Sequence, residues 1–346
     1  MRVAVVGAGN MGGMHAALLG RMPVVDELLV VDADLARARE VAESSGATAV
    51  DWEVALDRAE AIVIATPSEL HCEQVMAALD AGRSVLCEKP LADALDESLE
   101  MARRGEQDGT HLEVGFQRRH DSGFVAAHRA VTSGEAGRLH LVRLTAFDPR
   151  VPPRDLDELP QTDAAPLFLY SSIHDFDFAR WISGQEVVEV HVEASRRDGT
   201  RPADPRGIES AVVTMRLDGG SLVTLEASWL HPSGYDIRVE LVAEHAHLTA
   251  GLSDRTPARH LDWLPPVKAS SPAWSWYLER FEPAYAAELE AFLRAAHGQQ
   301  PPVTTARDGL EAMRIAVAAT RSHVERRTVG LAEVADLPAE QTVEAG

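Results

Sequence analysis

Three short stretches of the sequence hold residue types that could do chemistry. The first is Gly7-Ala8-Gly9-Asn10-Met11-Gly12, directly after the apolar run RVAVV. Glycines at that spacing suit a dinucleotide. Gly7 permits a tight turn, Gly9 lets a pyrophosphate approach, and Gly12 lets helix and strand pack closely. Asn10 and Met11 lie where free N–H groups at a helix start would face the phosphates. The second is Asp32, which closes the run LLVVD at about the distance (roughly 20 residues on) where a carboxylate accepts from ribose hydroxyls. It would repel a 2′-phosphate, so NAD is expected over NADP. No arginine stands at 33 or 34 to reverse that choice, although Arg37 is not far. The third is Glu88-Lys89-Pro90 after the run SVLC. A strand ending there puts a lysine where the cofactor ring should sit. Between them, Thr66-Pro67 at the end of AIVIA are expected to border the nicotinamide, at the crevice where α/β sheets bind ligands. His71 opens the next helix and reads equally as a surface residue or a cofactor contact. Cys87 reads as a small buried hydrophobe rather than a nucleophile.

These residues need elements to position them. Up to about residue 115 the chain alternates short Val/Ile/Leu-rich runs with amphipathic stretches. Strands are expected at 2–6, 28–31, 61–65, 84–87 and 111–115. Helices are expected at 11–20, 35–44, 69–81 and 94–107. Strict alternation predicts a doubly wound parallel sheet, a Rossmann domain over 1–120. The pattern then changes. Longer runs at 138–147, 187–195, 210–217, 221–229 and 237–249 alternate apolar with polar, and Asp218-Gly219-Gly220 is a hairpin signal. They predict an α+β domain with an open, mainly antiparallel sheet over 121–335, serving substrate binding and oligomerisation. Segments 150–166 and 196–207 read as long loops of the kind that line sites. Two helices, 284–297 and 308–325, and a frayed tail over 336–346 complete the chain.

Composition excludes several classes. At 346 residues, 45% hydrophobic and 25% charged, the chain can bury a sizeable core without disulfides or metal. No apolar run approaches the roughly 18 residues of a membrane span, and the N-terminus does not read as a signal peptide. The formal charge of −21 repels nucleic acid and anionic membrane over most of the surface. Cys72 and Cys87 have no zinc-type spacing, and a reducing, cytoplasmic setting without metal is expected.

The segments GAGNMG, ATPSELH, CEKPLA, GFQRRHDSGF and SSIHDFDFARWISG resemble the Gfo/Idh/MocA oxidoreductases, as do FEPAYAAELEAF and PPVTTARDGLEAMRIAVAATRS. The resemblance spans about residues 1 to 332 and is strongest to the inositol 2-dehydrogenase branch. It implies NAD or NADP in the first domain, reversible oxidation of a ring hydroxyl, and a dimer or tetramer built on the second sheet. By this resemblance Lys89 and His174 are the catalytic pair, and Asp177 contacts the polyol. Gln117, Arg118 and Arg119 belong to the loop bordering the nicotinamide, with Arg119 on the substrate side. Tyr235 is a substrate-side tyrosine. One position departs from the family pattern. The residue four before the histidine is usually Asp, but here it is Tyr170, which is expected to border the substrate in its place.

The chemistry these residues imply is an alcohol giving a hydride to NAD and a proton to His174, whose ordinary pKa suits a base near neutrality. Lys89 would stabilise the developing alkoxide. Without a carboxylate at 170, both groups are expected to titrate lower than in relatives that carry it. Asp175 reads as a helix N-terminal charge, and Arg118 and Arg119 as site residues or interdomain ion pairs. Trp263, Trp274 and Trp276 read as a sugar-stacking wall or a subunit contact. Three readings follow: a cyclitol or sugar dehydrogenase led by myo-inositol 2-dehydrogenation, an aminosugar or modified-cyclitol oxidoreductase, and a nucleotide-binding sensor without turnover.

Overall fold

The short apolar runs of the first third become one buried sheet because both of their faces are covered by helices. The structure is a computed structural model and is described over residues 1–107, 109, 111–149, 162–196, 204–257 and 272–336. The first strands are β1 (Arg2–Val6), β2 (Glu27–Val31), β3 (Thr48–Ala49), β4 (Ala61–Ile64), β5 (Ser84–Cys87) and β6 (Leu112–Val114). They pair in parallel in the order β3-β2-β1-β4-β5-β6. Helices α1 (Asn10–Leu19), α2 (Leu35–Ser45), α3 (Trp52–Arg58), α4 (His71–Asp80) and α5 (Leu95–Gly105) connect them. The sheet order reverses between β1 and β4, so the carboxyl ends of these strands open the crevice that holds the glycine turn and Thr66.

Helix α6 (Ser122–Thr132) leads to the second sheet, capped by Asp121, which accepts from the Gly123 and Phe124 amides. Its strands are β7 (Leu139–Pro149), β8 (Val187–Arg196), β9 (Ile208–Leu217), β10 (Leu222–His231), β11 (Asp236–Ala243), β12 (His247–Ala250) and β13 (Val329–Gly330). Their order is β12-β11-β7-β10-β9-β8-β13. Every pair is antiparallel except β7 with β10, which run parallel in the middle of the sheet. Alternation puts Val142, Leu144, Ala146, Val213, Met215, Val223 and Leu225 into the core. Helices α7 (Ile173–Ser183) and α9 (Ala306–Glu325) pack on the second sheet, and α9 reaches back to α5 and β6 while α8 (Tyr277–Ala296) packs against α1.

Several expectations need adjusting. The run expected as one strand over 237–249 is a hairpin, β11 and β12. Helix α8 begins seven residues earlier than read, with Pro283 inside its first turns. The expected loop 150–166 lies mostly outside the described residues, as do most of 196–207, Trp263 and nearly all of the expected tail. Residues 167–172 form a π-helical turn that runs into α7, a feature that often marks a functional site and has no periodic signature in sequence.

Candidate active site

The glycine turn is built as a cradle. Gly7 has φ +94, and a Cβ there would lie 2.6 Å from the Ala65 carbonyl oxygen. A Cβ on Gly12 would meet the Gly7 oxygen at 1.7 Å, whereas one on Gly9 would meet nothing within 4 Å. Two glycines are therefore demanded by packing, and the third leaves open space. Helix α1 starts at Asn10 with no side-chain cap and no acidic residue in its first turn, so its leading N–H groups are left for an anion. Asp32 braces the turn: its carboxylate accepts from the Ala8 amide at 2.7 Å and the Asp34 amide at 2.8 Å. Arg37 lies 3.9 Å from it. An open glycine, uncapped amides and an acid at the end of β2 are the donor and acceptor set that a dinucleotide with a free ribose needs.

A cavity of about 300 Å³ continues from this cradle. Met11 and Thr66 reach it from the first domain's crevice, and Thr66 Oγ1 donates to Gln74 at 2.7 Å. Glu88 and Lys89 follow from the end of β5, where the Lys89–Pro90 peptide is cis. Glu88 accepts from His15 at 2.7 Å and from the Lys89 amide at 3.3 Å. Lys89 Nζ donates to the Tyr170 carbonyl at 2.8 Å. Opposite stand Tyr170, Ser171 and His174 from the π-helical turn and α7, and Gln117 and Arg118 from the turn before α6. The two groups expected to do the chemistry, Lys89 and His174, thus come from separate halves of the chain to one cavity.

Electrostatics at the cavity follow from burial. Burial pushes the His174 imidazole well below its usual range, and the cations Lys89 and Arg118 push the same way. Its Nδ1 is enclosed without a partner, and its ring lies edge-on to Phe116. Burial also lowers Lys89, while Glu88 and Asp148 oppose that and Arg118 adds to it. In both groups the first cause of the lowering is burial, not the residue at 170. Burial raises the Tyr170 phenol, and so does Asp93. The phenol donates to Asp93 at 3.0 Å.

Several expected site residues sit elsewhere. Arg119 and Asp177 do not line the cavity. Arg119 grips Asp177 through both guanidinium edges, at 2.5 and 3.0 Å, and also pairs with Asp308 at 2.9 Å. Asp177 and Arg119 are both almost fully buried, and Arg180 joins them through Asp308 at 3.2 Å. The physical reason is the ion pair: the Asp177 carboxylate is spent on Arg119, which also holds Asp308 of α9. His71 is buried as well, with Nδ1 2.9 Å from the Pro90 carbonyl and Nε2 3.0 Å from that of Thr66. It staples two cavity-lining loops together and does not face the cavity. Pro67 lies outside the cavity wall too. Arg118 plays both roles considered for it, lining the cavity and pairing with buried Asp175 at 2.5 Å. Tyr235 does line the cavity and is buried. Trp276 lines it, whereas Trp274 stacks under Arg255 at 3.7 Å.

Sequence reading missed Asp148, Ser171, Trp229, Tyr277 and Tyr285, all on the cavity wall. Asp148-Pro149 at a strand end carries a turn signal that marked the place but not the direction of the side chain. Tyr285 lies within the quoted helix FEPAYAAELEAF, where it reads as core.

Two family models match the chain. One, described as an oxidoreductase family with an NAD-binding Rossmann fold, covers residues 1–116. The GFO/IDH/MocA C-terminal domain covers 124–249. The chain is 34% identical over 327 residues to the myo-inositol dehydrogenase Hyg17 of Streptomyces leeuwenhoekii, covering 93% of this chain and 97% of that one. It is 30% identical over 346 residues to the myo-inositol 2-dehydrogenase of Thermotoga maritima, covering 96% and 99%. The crystal structure of a myo-inositol dehydrogenase from Corynebacterium glutamicum superposes with a TM-score of 0.83 at 29% identity, covering 96% and 98%.

Proposed function

This chain belongs to the Gfo/Idh/MocA oxidoreductase family, and from that membership we propose that it oxidises a ring hydroxyl of a cyclitol with NAD, myo-inositol being the leading substrate. Its relatives named above are myo-inositol dehydrogenases. The observation that carries the reading is the meeting of Lys89 and His174 on one cavity that opens onto the glycine cradle.

The residues divide the work. The open edge at Gly9, the first amides of α1 and the Asp32 carboxylate bind the dinucleotide. Once bound, NAD supplies the hydride acceptor. His174 is neutral, because burial and two neighbouring cations disfavour its charged form. With Nδ1 enclosed, Nε2 is the nitrogen left to take the carbinol proton. Lys89 keeps one N–H on the Tyr170 carbonyl and has two others for the reacting oxygen, where they stabilise alkoxide charge. Gln117 and Thr66 border the nicotinamide side. Trp229, Tyr235 and Trp276 wall off water and give the polyol ring flat apolar faces. NADH absorbance followed over a panel of cyclitols and sugars tests the reading. Turnover of myo-inositol or a stereoisomer is expected. Tight NAD binding with no turnover on any polyol would leave a nucleotide sensor.

Among the described residues no helix is long and apolar enough to cross a membrane. The thiols Cys72 and Cys87 are free, which fits a reducing, cytoplasmic setting. Val188, Val212 and Leu222, exposed on three neighbouring strands of the second sheet, fit a subunit contact in a homo-oligomer, with a tetramer as the expectation by resemblance. Light scattering of the purified protein checks the subunit number.

A further inference from the structure

Two carboxylates line the cavity, Glu88 and Asp148. Glu88 is already engaged by His15. The cavity's guanidinium, on Arg118, is engaged by Asp175. Asp148 differs. Its Oδ2 accepts from Ser171 Oγ at 2.5 Å, and Trp229 lines the same wall. No lysine, arginine or histidine among the described residues stands in ion-pair contact with it.

Ser171 directly follows Tyr170, whose carbonyl holds Lys89 Nζ at 2.8 Å. Consecutive residues of the π-helical turn therefore anchor an ammonium and a carboxylate that face one cavity without touching. The phenol of Tyr170 is engaged by Asp93. A hydroxyl is the neutral group that can accept from an ammonium and donate to a carboxylate at once. Polyols carry such groups on neighbouring carbons.

We propose that Asp148 is a counter-charge of Lys89, beside Glu88, and the acceptor for a hydroxyl next to the reacting carbinol, so that lysine and Asp148 together recognise a vicinal diol and orient it for hydride loss. The proposal rests on the dehydrogenase reading above. It makes Asp148 a substrate-binding residue and Ser171 the positioning residue that aims it. It also implies that a cyclitol deoxygenated beside the reacting carbon is a poor substrate. Lys89 is faced by Glu88, Asp148, Arg118 and His174, and of the two carboxylates on the cavity Glu88 is already paired with His15.

The test uses full-length Asp148→Asn, which preserves shape and can still accept from Ser171. Its kcat/KM on the cyclitol that the wild type oxidises is expected to fall roughly ten- to a hundredfold, the range for a hydrogen bond to a charged group. NAD affinity should be unchanged. Independently of turnover, the pH midpoint of Lys89 acylation by a small amine-reactive reagent, read by mass spectrometry, is expected to fall by about one unit in the variant. A catalytic loss with no such fall would mean that Asp148 is not the lysine's counter-charge, and an unchanged kcat/KM would mean that it does not bind the diol. Either result overturns the proposal. Should Asp148→Asn fail to fold, Ser171→Ala leaves the charge in place but frees it, and an unaltered kcat/KM there overturns the proposal as well. A wild type inactive on every cyclitol would sink the dehydrogenase reading alone, since the lysine midpoint still reports the pairing.

Discussion

The cavity wall and the ionic base behind it are made from almost the same pieces, yet they do opposite work. Arg118 and Arg119 are neighbours on one turn, and Asp175 and Asp177 are two apart on one helix. Arg118 lines the cavity with buried Asp175 paired to it, whereas Arg119 with Asp177 locks α7 to the start of α9 through Asp308. On a helix, two residues apart means roughly opposite faces. The same residue types therefore back the cavity wall on one side and fasten two helices on the other. Charge and motif membership do not separate the two uses; phase does.

The sharpest way to break this comparison is at the wall. His174→Ala and Lys89→Ala are each expected to lower kcat by about 10²–10⁴, with the melting midpoint within a few degrees of the parent. A variant that keeps a tenth of its turnover would remove that residue from the chemistry.

The base should answer in the other currency. Asp177→Ala leaves the Arg119 guanidinium buried with only Asp308 and the Val303 carbonyl to hold it. Breaking one side of a buried pair costs about 3–5 kcal/mol, so urea unfolding should show a loss of that size. KM for the polyol should not move in the fraction that stays folded. A raised KM with unchanged stability would return Asp177 to the substrate side.

A third measurement sharpens the wall itself. His174 must be unprotonated to take a proton, and its pKa lies well below 6.5. The acid limb of the activity profile is therefore expected below that value. Lys89 must stay protonated to donate, and burial lowers it from 10.5, so the alkaline limb should fall below 10.5. An acid limb at or above 6.5 would mean that His174 is more open to water than its surroundings here allow.

How much of this was legible in the sequence depended on distance along the chain. The cradle is local: Gly7, Gly9, Gly12 and Asp32 sit on one strand-turn-helix unit and the next strand, so spacing alone predicted that they come together. Lys89 was legible for the same reason, at the end of a buried strand. The far wall was not. Asp148, Trp229 and Tyr285 come from β7, β10 and α8, and only the parallel pairing of β7 with β10 and the return of α8 to α1 bring them to one cavity. Alternation predicted the second sheet well but could not reveal that parallel pair. His71 illustrates the reverse error. Next to a cofactor motif, a histidine looks like a ligand contact, but both of its nitrogens face backbone carbonyls of the loops it fastens.

The smallest expected effect lies at Tyr170. It borders the cavity, and its hydroxyl donates to Asp93, which Ser68 also holds at 2.7 Å. Tyr170→Phe keeps the ring and removes that one donor. Asp93 keeps Ser68, so the stability cost should be about 0.5–1.5 kcal/mol, or a midpoint lowered by a few degrees. Because the hydroxyl is spent on Asp93, kcat/KM should stay within about threefold of the parent, well under a kcal/mol. If the phenol instead touches substrate, Tyr170→Phe will lose kcat/KM by tenfold or more with little change in melting. Tyr170 would then belong wholly to the wall, and the carboxylate expected at its position would have been replaced in function and not merely displaced.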